Sequence, residues 1–86
     1  MVTIFSMKNC SYCDDLKSQL TNLNIEYVDI NIRTKSGKLE LEKLSKIIKT
    51  DYVPIIIVNK NVLIPQTSFQ TIKQAVNIIQ DLLTNK

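Results

Sequence analysis

The chain has no histidine and no tryptophan, and only one glycine, two prolines and two cysteines among its 86 residues. A structural zinc site takes four protein ligands, so two cysteines with no histidine cannot close one within a single copy. So little glycine and proline argues against a linker-rich or disordered chain, and 44% hydrophobic with 22% charged residues is the balance of an ordinary globular protein. Long hydrophobic runs are missing too. The longest, such as "VPIII" at 53 to 57, fall far short of the roughly 20 residues of a membrane span, and the N-terminus has no basic segment followed by an apolar signal core. The net charge of +3 is spread over scattered lysines without interleaved aromatics, which argues against nucleic acid as a partner. These absences lead to the expectation of a cytoplasmic protein. In that compartment thiols stay reduced, so a cysteine pair is catalytic or metal-binding rather than a structural staple. The loop between Cys10 and Cys13 is also too short to constrain much unfolded chain.

The length suits one domain, residues 1-86, with one core. "VTIFS" (2 to 6) reads as a buried strand that delivers the cysteines to its end, and Cys13, Leu16, Leu20 and Leu23 then repeat along one helical face, with Asn22 and Asn24 as a stop. "IEYVDINI" (25 to 32) is strand-like, and the intervening helix is long enough to let it pair in parallel with the first strand. "TKSG" supplies cap residues for a second helix in which Leu41, Leu44, Ile47 and Ile48 share a face, ending near Thr50. "DYVPIIIVNKNVLIPQ" splits at "NKN" into a strand hairpin. Thr67 and Ser68 are N-cap candidates for a last helix whose face carries Phe69, Ile72, Val76, Ile79 and Leu83. The order βαβαββα predicts an α/β fold, a four-stranded mixed sheet with helices on both faces.

The chemistry concentrates in "CSYC" at 10 to 13. A C-x-x-C between a strand and its helix, in a βαβ setting, is the signal of a thioredoxin-like redox site. Thiol–disulfide exchange needs a reachable thiolate and a second thiol to resolve the mixed disulfide. With Cys10 at the helix N-terminus, its sulfur meets unpaired N–H groups and the positive end of the helix dipole, while Cys13 lies one turn in. Cys10 is thus the expected exposed nucleophile and Cys13 the resolver. Such sites lower a thiol pKa from about 8.5 into a range of about 3.5 to 7.5; Lys8 reinforces this and the carboxylates of Asp14 and Asp15 oppose it, which places Cys10 high in that range. Tyr12 either shields the sulfur or packs on a substrate. Lys8 and Lys17 also read as ordinary solvated lysines, Pro54 as a strand-initiating proline, and Thr67 and Ser68 most simply as N-caps, an anion site at that helix end being the same physics with a ligand added.

"CSYC", Tyr12, Lys17, "YVDI" and "YVP" ahead of "IIIV" together resemble the glutaredoxins over nearly the whole chain. The resemblance implies a thioredoxin-like fold and a dithiol–disulfide oxidoreductase acting on protein disulfides or glutathione mixed disulfides, with Cys10 and Cys13 catalytic. It further implies a cis peptide at Val53-Pro54 and a substrate site drawing on Lys8, Tyr12, Val53, Pro54, Thr67 and Ser68. Glutathione is the implied reductant, the partner a disulfide-containing protein, the state a monomer, with no tightly bound cofactor and no metal. Three departures stand out. Ser11 replaces the family's proline between the cysteines, a change that in some members accompanies a [2Fe-2S] cluster shared by two copies. Met7 stands where the family's cation usually lies, with Lys8 one place closer to Cys10. Ile64-Pro65 replaces the usual Gly-Gly, and Thr67 or Ser68 the following Asp, so glutathione is expected to bind less well. Two other readings remain alongside the first: a thioredoxin-like electron donor to a ribonucleotide reductase, and a glutathione-dependent cluster carrier.

Overall fold

The computed structural model describes residues 1–45 and 52–84. Three helices and four strands follow the order β1 (Val2–Ser6), α1 (Ser11–Asn22), β2 (Tyr27–Asn31), α2 (Lys35–Ser45), β3 (Ile55–Val58), β4 (Asn61–Leu63) and α3 (Ile72–Thr84). The sheet runs β2-β1-β3-β4. β1 pairs in parallel with β2 and antiparallel with β3, and β3 is antiparallel to β4, so the sheet is mixed as expected. Four chain positions therefore gather at one end of the sheet: the exits of β1, β2 and β4, and the entrance of β3.

Alternation along the strands sorts side chains between faces. Val2 and Ile4 of β1, Ile56 and Val58 of β3 and Leu63 of β4 meet Leu16 and Leu20 of α1 and Ile72, Ala75, Val76 and Ile79 of α3 in one core. Phe5 and its register partner Ile55 are buried outside that cluster, on the other face. Leu23 and Leu83, expected on buried helical faces, are instead exposed. Leu23 is the C-cap of α1, and the helix closes just beyond it, with Asn24 donating to the Thr21 carbonyl and Ile25 to that of Leu20. Leu83 stands near the free end of α3.

Scarcity of glycine shapes the turns. The left-handed backbone positions fall on Asn9, Asn24, Asn59 and Gln66, and none on glycine. Asparagine tolerates this region better than other L-residues. The one glycine serves a different need. Gly37 sits inside α2 where an added Cβ would lie 1.8 Å from the Asn31 carbonyl oxygen, so it lets the helix approach the end of β2. The second helix accordingly starts at Lys35, ahead of its expected start, with Thr34 as the cap that accepts the Gly37 N–H at 3.0 Å. Ile47, Ile48 and the expected helix end near Thr50 lie outside the described residues.

The third helix corrects the expectation that Thr67 and Ser68 cap it. Residues 65 to 69 form a tight turn in which Gln66 N donates to the Phe69 carbonyl at 2.9 Å and Ser68 N to that of Ile64 at 2.8 Å. The Ser68 hydroxyl is spent on the Ile64 N–H. The cap is Thr71, whose Oγ1 accepts the Gln74 N–H, while the Gln74 side chain reaches back to accept the N–H groups of Gln70 and Thr71. This is a capping box, T-x-x-Q. No helix among the described residues is long and apolar enough to cross a membrane.

Candidate active site

The exit of β1 carries the chain through Met7, Lys8 and the left-handed Asn9 into Cys10, which is the N-cap of α1 in extended conformation. Its sulfur accepts the Cys13 N–H at 3.1 Å, taking the place that a serine or aspartate oxygen usually fills. Cys10 and Cys13 are joined as a disulfide with their Cα atoms 5.2 Å apart. Cys13 is fully buried, whereas Cys10 retains 8% exposure. Cys10 is thus the more reachable of the two, but far more enclosed than the exposed nucleophile expected, because its sulfur folds over the helix end onto Cys13. Ser11 is the exposed first residue of the helix, and Tyr12 projects with 67% exposure.

Beside the pair, Tyr12 forms one wall of a groove of about 520 Å³. Its other walls include Tyr52, Val53, the buried Pro54, Pro65 and Phe69, and the Val53-Pro54 peptide is cis, as the resemblance implied. The structure therefore brings Cys10, Cys13, Tyr12, Val53 and Pro54 to one end of the sheet. It leaves Thr67 and Ser68 off the groove walls, whose polar positions there are Gln66, Gln70 and Thr71. Lys8 is exposed. Among the described residues no group of three or more His, Cys, Asp or Glu is arranged to hold a metal ion.

Three features escaped the sequence reading. Asp29 of "YVDI" accepts the Ser6 hydroxyl and lies 3.0 Å from the Lys17 ammonium, which is also 3.8 Å from Asp14. No local pattern announced it, because Ser6 lies on β1 and Lys17 on α1, and only the pairing of β2 with β1 sets Asp29 beside them. Arg33, just after β2, points its guanidinium at the Met7 sulfur, 3.9 Å away. Only the fold could bring these two together. Gln74, whose side chain fills the start of α3, was legible in the T-x-x-Q pattern.

The parallel β1–α1–β2 unit, the antiparallel hairpin beside it and the cysteine pair at the first helix's N-terminus define a protein of the thioredoxin-like fold with a C-x-x-C site. The glutaredoxin family model matches residues 2–63, and the chain belongs to that family. An uncharacterized glutaredoxin-like 8.6 kDa protein in the rubredoxin operon of Clostridium pasteurianum is 30% identical over 64 residues, 74% of this chain and 83% of that one. Among solved structures, the buckwheat glutaredoxin–glutathione complex is similar with a TM-score of 0.73 at 20% identity, over 96% of this chain and 76% of that one. The glutaredoxin-like NrdH-redoxin of Escherichia coli is similar with a TM-score of 0.67 at 15% identity, over 99% and 97% of the two chains. At these identities the likeness is one of fold.

Proposed function

We propose that this protein is a dithiol–disulfide oxidoreductase whose preferred substrates are protein disulfides. The observation that carries the reading is the asymmetry of the pair: Cys10 caps the helix and keeps 8% exposure next to Tyr12 of the groove wall, while Cys13 is fully buried. In the reduced protein the Cys10 thiolate attacks one sulfur of a substrate disulfide; a mixed disulfide forms and one substrate sulfur leaves as thiolate. Cys13, after losing its proton, attacks the Cys10 sulfur, and the second substrate sulfur leaves with its electron pair. The substrate gains two electrons, and the protein is left with the Cys10–Cys13 disulfide. Glutathione or another thiol reductant returns it to the dithiol. Cys10→Ser should abolish exchange with every substrate. Cys13→Ser should accumulate a mixed disulfide with a protein substrate, visible by non-reducing electrophoresis, yet still turn over glutathionylated ones, where free glutathione resolves the intermediate. The reverse pattern would overturn the assignment of roles.

The preference for protein over glutathione rests on the corner opposite the cysteines. The buckwheat relative was solved with glutathione, which supports a shared groove. Here, however, the N–H groups of Gln70 and Thr71 that could receive an anion are already taken by Gln74, and Pro65 brings a ring and no N–H to the groove wall. The same observation favours a second reading, an electron donor to a ribonucleotide reductase, in keeping with the thioredoxin-like activity profile of the E. coli neighbour. Rates on a glutathione mixed disulfide and on a protein disulfide, measured with one preparation, test the preference: the protein disulfide should react faster.

A further inference from the structure

The topology sets two unlike surfaces on either side of the cysteine pair. Toward β3 and α3 lies the groove, whose described walls are aromatic, aliphatic, proline, amide or hydroxyl side chains, with no charge among them. Tyr12 and Tyr52 on its walls are 67% and 68% exposed. Toward β2, the other neighbour of β1, the surface is cationic. Arg33 follows the exit of β2, and its contact with Met7 places the guanidinium beside the segment that carries Lys8 toward Cys10. An Asn31 side chain accepts the Arg33 N–H at 2.8 Å and orders the turn. Lys8 and Arg33 are both exposed, and among the described residues neither has a carboxylate partner. Two acids of the neighbouring elements, Asp14 of α1 and Asp29 of β2, lie within 4 Å of the Lys17 ammonium.

Resting on the reading of Cys10 as nucleophile, we propose that Arg33 and Lys8 select the substrate: the disulfide-bearing segment of the partner protein carries an apolar residue on one side of its cysteine, seated between Tyr12 and Tyr52, and acidic residues on the other, facing Arg33 and Lys8. The segment lies across the end of the sheet. Charge of one sign on one flank raises the encounter rate and fixes direction, and the uncharged groove supplies burial without a partner for a second charge. Glutathione, with a carboxylate at each end, suits the cationic flank but not the groove.

The test uses short peptides, each with one cysteine activated as a 2-pyridyl disulfide, and the Cys13→Ser variant. The Cys10 thiolate attacks the peptide sulfur, the bond to the pyridyl sulfur breaks, and that sulfur leaves, taking a proton, as pyridine-2-thione, which is followed by absorbance. Peptides place Phe on one side of the cysteine and Asp-Asp or Lys-Lys on the other, in both orders, and each rate is divided by that of neutral 2,2′-dithiodipyridine with the same protein. In one order the acidic peptide should react about tenfold faster than the basic one, within the range of electrostatic steering, and the gap should close at 0.5 M salt. Adding Arg33→Glu and Lys8→Glu should reverse the preference, and Tyr52→Ala should remove the advantage of Phe over Gly. Equal rates for acidic and basic peptides, or a preference that survives the charge reversal, overturn the inference. Failure of the neutral probe to react at Cys10 overturns the nucleophile assignment itself, so the two failures are distinguishable.

Discussion

At the scale of single residues, the Cys10 sulfur holds a backbone donor, the Cys13 N–H at 3.1 Å, as well as the positive end of α1. Both favour the thiolate over the thiol once the disulfide opens. Alkylation rate against pH in the reduced protein should therefore give a midpoint below the ~8.5 of a free cysteine, with reactivity retained as pH falls toward it and lost beneath it. Asp14 in the first turn opposes this, so Asp14→Asn should lower the midpoint further, while Lys8→Ala should raise it. A midpoint at the free-cysteine value would remove the basis for Cys10 as an activated thiol. Ser6 is a different kind of residue, a buried hydroxyl at the exit of β1 that donates to Asp29. Ser6→Ala deletes the donor and leaves Asp29 with Lys17, so urea denaturation should show a loss of about 0.5–1.5 kcal/mol rather than unfolding.

Elements are held in place by two devices, and each can be broken separately. α2 reaches β2 only because position 37 has no side chain; a Cβ there would run into the backbone of Asn31 and the Thr34 hydroxyl that caps the helix. Gly37→Ala should cost about 1–3 kcal/mol, the usual range for forcing atoms into a packed site, and more if the cap is lost with it. Helix propensity alone would favour alanine, so a stabilised variant would show that the approach of α2 to β2 is not close. α3 depends on the Thr71–Gln74 box. Thr71→Ala should cost about 1 kcal/mol in thermal or urea unfolding, and Thr67→Ala, outside the helix, little.

For the whole molecule the question is which ligand the sheet end accepts. Gln74 is both a capping residue and a plug: its amide oxygen fills the helix end where an anionic ligand could bind. Gln74→Ala should destabilise α3 slightly and tighten binding of a glutathione conjugate, by roughly 1–3 kcal/mol if both N–H groups are released to a carboxylate. Replacing Ile64 and Pro65 by glycine should act in the same direction by opening the groove wall. Titration calorimetry of S-methylglutathione against both variants would check this. No gain in either would mean that the groove floor at Val53 and Pro54, and not the corner, governs glutathione binding.

The element order, the parallel pairing of β1 with β2, the β3–β4 hairpin and the place of the cysteines were legible in the sequence, because each follows from local periodicity and from the spacing of "CSYC" and "VP". The start of α3 was misplaced for a local reason: Thr67 and Ser68 look like caps, but both lie in a turn ahead of the helix, where the Ser68 hydroxyl accepts the Ile64 N–H, and the T-x-x-Q that begins at Thr71 does the capping. What no local pattern holds is proximity across the sheet. Asp29 finds Ser6 and Lys17 from three different elements, Arg33 meets Met7 only because β1 and β2 leave the sheet at the same end, and Cys10 is enclosed by its own disulfide and its neighbours. The sequence alone determined which residues carry the chemistry; the tertiary structure decided what charge and shape surround them, because field and access depend on distance through space and not along the chain.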